Sequence, residues 1–314
     1  MTVVETGAAP TPTVGVRPRA VDRRERWLRR LPLLPALIYV VIVTQVPFVV
    51  TLFYSFQSYF WDVPGGAHFN GVKNYSTVFT NAGFRGSLER SVFMTAISVI
   101  VAMILGVAFA LLLDRKFLGR GVVRTLIITP FLVMPAAAAL VWASPMLDPN
   151  FGLVNYLLAP FGVHHVAWLS QYPLVSVIAV MIWQWTPFMT LIILAGLQGQ
   201  PADTLEAAKV DGAGALATFR ELTLPHLRPY IELGILLGSI YLVNVFDAVR
   251  LMTNGGPGTS TTNLPFYLYQ QVNFAFDIGG AAATGVVTVF LTIIVATFAL
   301  RMFARVFQFE EAGV

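Results

Sequence analysis

The residues best able to do chemistry are a few polar and aromatic side chains inside otherwise apolar stretches. The first group surrounds Pro187 and comprises Trp183, Gln184, Trp185 and Phe188. An amide such as that of Gln184 both donates and accepts hydrogen bonds, and aromatic rings offer apolar faces. These residue types are suited to non-covalent binding.

A second group repeats at every third residue, at Tyr241, Asn244 and Asp247. We expect this spacing to place them along one face of a helix, and polar groups inside a membrane helix are functional candidates. Phe131 is a further aromatic candidate. Each position also has a structural alternative: the rings pack the helix bundle, Asn244 bonds a neighbouring helix, and Asp247 pairs with Arg250.

Several kinds of catalytic site have no support in the sequence. The chain contains no Cys, which excludes thiolate and disulfide chemistry. Its only lysines are Lys73, Lys116 and Lys209, and none lies in the Gly-x-x-x-x-Gly-Lys-Ser/Thr setting of a nucleotide-binding loop. The vicinal pair His164–His165 has no carboxylate nearby, and no His-Glu-x-x-His or Gly-x-Ser-x-Gly motif occurs. We therefore predict no catalytic residues, no metal site and no cofactor on this chain.

The composition of the 314-residue chain indicates a membrane protein. Apolar residues make up 56% of it, charged residues only 11%, and the mean hydropathy is +0.72. Soluble domains carry about 25% charged residues, so much of this surface must face lipid. The net charge of +4 does not indicate nucleic-acid binding, because the basic residues are distributed among the connecting segments.

Stretches long enough to cross about 30 Å of hydrocarbon predict an all-α polytopic protein with six transmembrane helices. Their expected ranges are 32–55, 91–113, 123–145, 173–197, 229–249 and 279–301. The predicted organisation is a basic arm over 1–30, a first helix and outer loop over 31–90, a five-helix core over 91–301, and a tail over 302–314.

The distribution of basic residues predicts the orientation. Alternating connecting segments contain 16 and 4 of the 20 Lys and Arg residues, and the basic-rich side is cytoplasmic by the positive-inside rule. Both termini are therefore predicted to be cytoplasmic. The first apolar run begins about 30 residues in and is too long for a signal-peptide core of about 7–15 residues, so we expect no cleaved signal.

The segment 200–229 between the fourth and fifth helices is predicted to fold by itself. Asp203 is expected to cap a short helix, with Glu206 as its reciprocal partner three residues later. Gly212 is expected to end that helix in the left-handed conformation.

A second short helix is expected to follow in the same segment. Its apolar residues recur at three-residue spacing: Leu216, Phe219 and Leu222. Pro225 and Pro229 are then expected to turn the chain into the fifth membrane helix. The predicted result is a compact cytoplasmic elbow over 200–228, and the alternative is a loop that only joins two helices.

The sequence of this elbow resembles the EAA loop of permease subunits in bacterial ABC importers. The matching residues are Glu206-Ala207-Ala208, Gly212 six residues after the Glu, and Leu224-Pro225, while Leu222 replaces a frequent isoleucine. The resemblance implies the type I ABC importer permease fold and an elbow that docks into a separate ATPase subunit. The coupling residues it implies are Glu206, Ala207, Ala208, Asp211, Gly212, Phe219, Leu224 and Pro225.

Other motifs resemble the carbohydrate branch of that family. The segments similar to maltose/glycerol-phosphate-type permeases are 150–155, 183–188, 246–247 and 251–257, and the run 263–283 is similar to mannitol/sorbitol-type permeases. This resemblance places Gln184, Trp185, Phe188 and Asn244 at or beside substrate-lining positions.

The resemblance also implies the partners and the location of the protein. They are a second related permease, two ATPase subunits that hold ATP and Mg, an extracytoplasmic binding lipoprotein, and a sugar or polyol, in a bacterial cytoplasmic membrane. The alternative is a self-sufficient ion-coupled transporter, which predicts an inverted repeat and a buried coupling carboxylate. A membrane enzyme is disfavoured by the missing catalytic motifs.

Overall fold

The computed structural model describes residues 31–311, with side chains over 32–298 and at 301. The predicted arm over 1–30 lies outside the described residues, as do positions 312–314 of the predicted tail. The chain divides into two compact units, Met1–Val50 and Thr51–Val314, and each is described by itself.

The first unit contains most of the first helix. A short 3-10 turn, Leu31–Leu33, leads into α1, Leu34–Ser55, which ends just inside the second unit. Its 22 residues include no charged side chain, and Pro47 is its only proline after the first turn. The predicted first span over 32–55 is confirmed.

The second unit is helical apart from one small hairpin. Strands β1 (Gln57–Ser58) and β2 (His68–Phe69) pair antiparallel. Its helices before residue 160 are α2 (Lys73–Thr80), α3 (Ala82–Asp114), α4 (Arg120–Leu132), α5 (Pro135–Val141) with a π-helix over Trp142–Met146, and α6 (Leu153–Leu158). The later helices are α7 (Trp168–Gln171), α8 (Pro173–Gln198), α9 (Ala202–Val210), α10 (Ala215–Thr218), α11 (Leu224–Leu242), α12 (Leu264–Asn273) and α13 (Ile278–Glu311).

Helix α3 begins nine residues before the predicted start at 91. Asn81 caps it, because its side-chain oxygen accepts bonds from the amides of Gly83 (2.7 Å) and Phe84 (3.3 Å). The prediction began after Arg90, the last charge before the apolar run. That charge lies within the helix, where its Nε donates to the carbonyl of Thr262 at 2.8 Å.

The third predicted span is not one helix. Helices α4 and α5 meet at a bend of 100°, so the expectation of a continuous helix over 123–145 is wrong. Pro135 lacks an N–H and disfavours a helical conformation of the residue before it. Met134 and Val133 are accordingly extended, each with ψ of 131°.

The fifth predicted helix ends early. Helix α11 stops at Leu242 instead of 249, and a π-helix over Val249–Thr253 follows after a short non-helical stretch. Side-chain amides donate hydrogen bonds to backbone carbonyls at this end of the helix. Asn244 donates to the carbonyl of Ile240, and Asn263 donates to the carbonyl of Val245. The distant Asn263 was not considered in the prediction.

The predicted number of six spans is not established by the described residues. The helices that are long and apolar enough to cross a membrane are Leu34–Ser55, Ala82–Asp114, Pro173–Gln198 and Ile278–Phe298. The bent pair of α4 and α5 makes a fifth if it is one span. The spans predicted at 32–55, 173–197 and 279–301 therefore have helices at the expected places.

Helix α8 lies at the centre of the second unit, where α3, α4 and α11 pack against it. Its Met189, Ile193 and Leu194 are almost fully buried. Gly106 of α3 allows close approach, since a Cβ there would lie 2.6 Å from the Cβ of Met189. Helix α8 thus carries Gln184 and Trp185 at its middle and leads to the segment 200–228 after its C-terminal end.

Candidate functional site: a helical elbow and an aromatic cluster

The elbow, residues 200–228, begins with helix α9. Pro201 occupies the position before the helix, and Asp203 lies inside the first turn without making a capping bond. The predicted capping box of Asp203 with Glu206 is therefore wrong. Proline with its fixed φ of −61° starts the helix instead, while the charge of Asp203 still suits the positive end of the helix dipole.

Gly212 ends α9 as predicted. Its φ is +80°, and two bonds close the helix end: the amide of Ala213 donates to Ala208 (2.9 Å) and that of Gly212 to Lys209 (3.2 Å). This is the Schellman arrangement, in which a left-handed residue follows the helix. A Cβ at Gly212 would meet no heavy atom within 4 Å. Glycine therefore suits this position because of its left-handed backbone conformation, and not because a larger side chain would clash.

The second half of the elbow runs directly into α11. Helix α10 continues through a π-helix, Phe219–Thr223, to Leu224 without a break. The expected turn at Pro225 and Pro229 is therefore wrong. Pro225 lies in the first turn of α11, where a missing N–H costs little, and the wider π turn before it gives the ring room.

The elbow exposes two large apolar side chains. Val210 is 87% exposed and Leu216 is 79% exposed. Of the eight predicted coupling residues, the exposed ones are Glu206, Ala207, Asp211, Gly212 and Pro225. Ala208 is buried, and Phe219 and Leu224 are half-buried, so these three contact the rest of the chain.

A residue that the sequence analysis missed ties the elbow to α8. His226 makes a 3.1 Å hydrogen bond through Nε2 to the carbonyl of Gly196, near the C-terminal end of α8. A Cβ on Gly196 would lie 2.7 Å from the ring of Tyr230 and 2.8 Å from Leu227. The glycine therefore permits a close contact between α8 and α11 that the sequence pattern does not show.

The aromatic cluster, defined as Phe131, Trp185, Phe188 and Tyr241, assembles at the bend of the third span. Trp185 has ring centroids 5.7 Å from Phe131, 5.4 Å from Phe188 and 5.4 Å from Tyr241. Phe131 stacks on Phe188 at 5.3 Å. Four of the predicted substrate residues, from α4, α8 and α11, are thus brought together, and Tyr241 is 58% exposed.

Gln184 faces a different partner. Its Nε2 donates to the carbonyl of Val133 at 3.1 Å, within the break between α4 and α5. The amide is therefore engaged with the backbone, and the neighbouring Trp183 contacts Trp142 at 5.4 Å outside the aromatic cluster.

Asn244 and Asp247 lie beyond the end of α11, so the predicted common helical face with Tyr241 does not form. Asn244 is exposed and donates to Ile240 of the preceding turn at 2.8 Å, not to a neighbouring helix. Asp247 is half-buried.

The ion pair between Asp247 and Arg250 does not occur among the described residues. Arg250 donates to the side-chain oxygen of Asn254 at 2.6 Å and lies 5.4 Å from the ring of Tyr269. Tyr269 packs on Phe246, which forms a second aromatic group that the sequence analysis did not identify.

A polar junction holds the start of α13. Asn74 donates to the carbonyls of Ser55 (2.9 Å) and Gln57 (2.7 Å). Burial raises the pKa of Asp277, although the amide of Gly280, which donates to it at 2.8 Å, opposes the shift. Burial, and then the nearby charge of Asp277, raise the pKa of Tyr267. The sequence analysis assigned these residues no role.

His165, the second residue of the histidine pair, contacts the local backbone. His165 has φ of +52° and its Nδ1 lies 3.2 Å from the carbonyl of Pro149. Among the described side chains, 32–298 and 301, no three of His, Cys, Asp or Glu are grouped so that they could hold a metal ion.

Comparisons with known proteins show the family and the fold of the chain. A family model described as "Binding-protein-dependent transport system inner membrane component" matches residues 98–308. The chain is 40% identical to the probable ABC transporter permease protein y4oQ of Sinorhizobium fredii, covering 86% of this chain and 88% of the relative. It is 35% identical to the trehalose/maltose transport system permease protein MalF of Thermococcus litoralis, covering 86% and 91%.

Solved structures share the fold. One is the crystal structure of a bacterial ABC transporter involved in the import of the acidic polysaccharide alginate, with a TM-score of 0.75 at 22% identity. The similarity covers 90% of this chain and 96% of that one. A second structure of such a transporter, in complex with an alginate pentasaccharide-bound periplasmic protein, gives a TM-score of 0.76 at 22% identity and covers 92% and 98%.

Proposed function

The chain belongs to the family of binding-protein-dependent transport system inner membrane components, and from this premise we propose that it is the permease subunit of an ATP-driven importer for a sugar or polyol. The predicted all-α importer permease fold is confirmed by the similarity to the two transporter structures. The substrate arrives on an extracytoplasmic binding protein and leaves into the cytoplasm.

The observation that carries the proposal is the exposed apolar surface of the elbow. Val210 and Leu216 lie on either side of the Gly212 turn and are almost fully exposed. Exposed apolar groups on an otherwise polar surface mark interaction sites. A separate ATPase subunit is the partner that this surface fits in an importer, with the exposed Glu206 and Asp211 at its rim.

The elbow is connected to the aromatic cluster by a continuous helix and by a hydrogen bond. It runs without interruption into α11, which carries Tyr241, and His226 joins it to α8, which carries Trp185. Movement of the elbow therefore displaces two helices of the cluster together. The partner ATPases hold ATP and Mg. ATP binding can shift the permease from one conformation to the other only if the ATPases bind the second conformation more tightly.

The aromatic cluster is the proposed substrate surface, and Asn244 and Asp247, beyond the end of α11, are the proposed hydrogen-bonding groups. Several relatives are named for hydroxylated solutes: trehalose/maltose, sulfoquinovosyl glycerol and sn-glycerol-3-phosphate. Aromatic faces next to an exposed amide suit such solutes, since their C–H faces are apolar and their hydroxyls need partners.

We place the subunit in a bacterial cytoplasmic membrane with both termini in the cytoplasm, as the basic residues favour. The assembly contains a second related permease, two ATPase subunits and an extracytoplasmic lipoprotein. One relative of known structure is in complex with a periplasmic protein, which supports a binding-protein partner here.

Reconstitution tests this proposal. The purified permease pair, ATPases and binding protein are placed in liposomes, and uptake of a radiolabelled sugar is measured with ATP enclosed or absent. We expect uptake only with ATP, both ATPases and binding protein. Uptake by this chain alone under a sodium or proton gradient would contradict the proposal and favour the ion-coupled alternative.

A further inference from the structure

Two tryptophans on α8 contact opposite sides of the bend in the third span. The ring of Trp185 lies 5.7 Å from Phe131 on α4, before the bend. The ring of Trp183 lies 5.4 Å from Trp142, after the bend. Helix α8 therefore holds both halves of the bent span through residues that are two positions apart.

Gln184, between these tryptophans, contacts the bend itself. Its Nε2 donates to the carbonyl of Val133 at 3.1 Å. The first backbone bond of α5 is accepted by the next residue, Met134, from Ala138 at 3.0 Å. The carbonyl of Val133 thus lies one position before the first backbone acceptor of α5, and a side chain supplies its donor.

We propose that Gln184 is a positioning residue that latches the third span in its bent conformation. An unsatisfied carbonyl is costly in the membrane, so this amide adds to the preference for the bent state that Pro135 sets. In a straighter helix the carbonyl of Val133 would accept from the amide of Ala137. Loss of the Gln184 donor therefore favours the straighter state.

The latch acts on the aromatic cluster through Phe131. The bend places that ring against Trp185 and Phe188, and straightening withdraws it. Gln184 thus sets the geometry of the proposed substrate surface without binding the substrate. Only the transport readout below rests on the proposed function, because the bend can be measured without substrate.

A distance across the bend gives a direct test. The chain contains no Cys, so spin labels attach to this subunit only at introduced sites, and Val122→Cys and Leu140→Cys are exposed positions on the two halves. Their Cα atoms are about 27 Å apart along a straight helix and about 18 Å apart with the observed bend. Double electron–electron resonance is measured on the complete transporter with cysteine-free partners.

The variants separate a latch from a sugar ligand. Gln184→Leu removes the donor, and Gln184→Asn keeps an amide on a side chain of about the same length as Leu. Gln198→Leu on the exposed end of the same helix is the control. We expect Gln184→Leu to shift the ratio of bent to straighter species by about fivefold, as loss of one hydrogen bond implies. The maximal uptake rate of Gln184→Leu should fall as the bent species becomes rarer. Gln198→Leu should match the wild type in both measurements.

Unchanged distances in both Gln184 variants would overturn the proposal. If uptake then showed a raised KM, Gln184 would be a direct sugar ligand instead. If Gln184→Leu fails to insert into the membrane, the milder Gln184→Asn variant decides the result by the same distance distribution. Failure of the proposed function would abolish ATP-driven uptake in every variant but would leave the distance shift in place.

Discussion

The elbow and the aromatic cluster differ in how far apart along the chain their parts lie. The helix end at Gly212 is closed by bonds from Gly212 and Ala213 to residues three and five positions earlier. The cluster joins Phe131, Trp185 and Tyr241 from three separate helices. The helix end at Gly212 is therefore held by local bonds, whereas the cluster exists only as long as the helices around it stay in position.

This difference suits the two proposed roles. A segment that transmits force to the permease from another subunit must be stiff by itself, and local closure makes it so. A surface that must bind and then release a solute benefits from parts that separate when helices move. Mutations can test whether the two regions respond in these different ways.

The largest effect is expected from Trp185→Ala, which removes the ring that contacts three others. Trp185 is half-buried and is the common contact of the cluster, so we expect its truncation to abolish uptake. Trp185→Phe should keep part of it. The control is Phe298→Ala, at an exposed ring on α13. Equal uptake by Trp185→Ala and the control, measured in liposomes, would remove the cluster from the transport path.

The next effect is expected at Gly212, where φ is +80° and space is open. Gly212→Val must adopt a conformation that costs roughly 1–2 kcal/mol, so we expect uptake to fall about tenfold while membrane insertion is unchanged. Gly212→Asn, which tolerates this conformation, should retain most uptake. Gly214→Val, at a φ of −69°, is the control. Equal losses for the Asn and Val variants would mean that size, and not backbone conformation, decides.

A smaller effect is expected at the junction beside α13, which is also built from remote residues. Burial raises the pKa of Asp277, so its ionised form is disfavoured in the folded state. Its stability contribution is present below the unfolded pKa of about 3.9 and is lost as pH rises through the folded value. Asp277→Asn keeps the cap acceptor for Gly280 without the charge. In thermal scans of the purified complex, the melting temperature of the variant should exceed that of the wild type near pH 7 and equal it near pH 4. A lower melting temperature of the variant near pH 7 would contradict this reasoning.

The smallest effect is expected for a local pair on α11. Arg228 and Glu232 are four residues apart and their side chains lie 3.0 Å apart, partly exposed. Such helical pairs contribute about 0.3–0.5 kcal/mol, so Glu232→Gln should change the melting temperature by less than the Asp277→Asn variant does. A large loss of stability would show that Glu232 takes part in a wider network and that the local interpretation is incomplete.

The sequence predicted what depends on neighbouring residues. Gly212 could be placed in the left-handed conformation because a helix end with glycine is a local pattern. The start of α9 could not be predicted, because Asp203 and Pro201 both fit a helix start and only the backbone distinguishes them.

The rest depends on contacts between distant residues. Pro135 is visible in the sequence, but the partner of the Val133 carbonyl, Gln184, comes from another helix. The end of α11 depends likewise on Asn263, which no pattern within 229–249 contains. The aromatic members of the site could therefore be named in advance, while the latch and the position of Asn244 could not.

Cross-linking at the elbow tests the central claim most directly. Val210→Cys, at a side chain that is 87% exposed, is combined with a short thiol-directed cross-linker in membranes of cells that express the complete transporter. We predict a single adduct with a nucleotide-hydrolysing subunit, whose yield changes when ATP is trapped. A matched Cys at Val175, 62% exposed on α8, should give no such adduct. Repeated absence of an ATPase adduct at Val210, in membranes where ATP-driven uptake is active, would contradict the account.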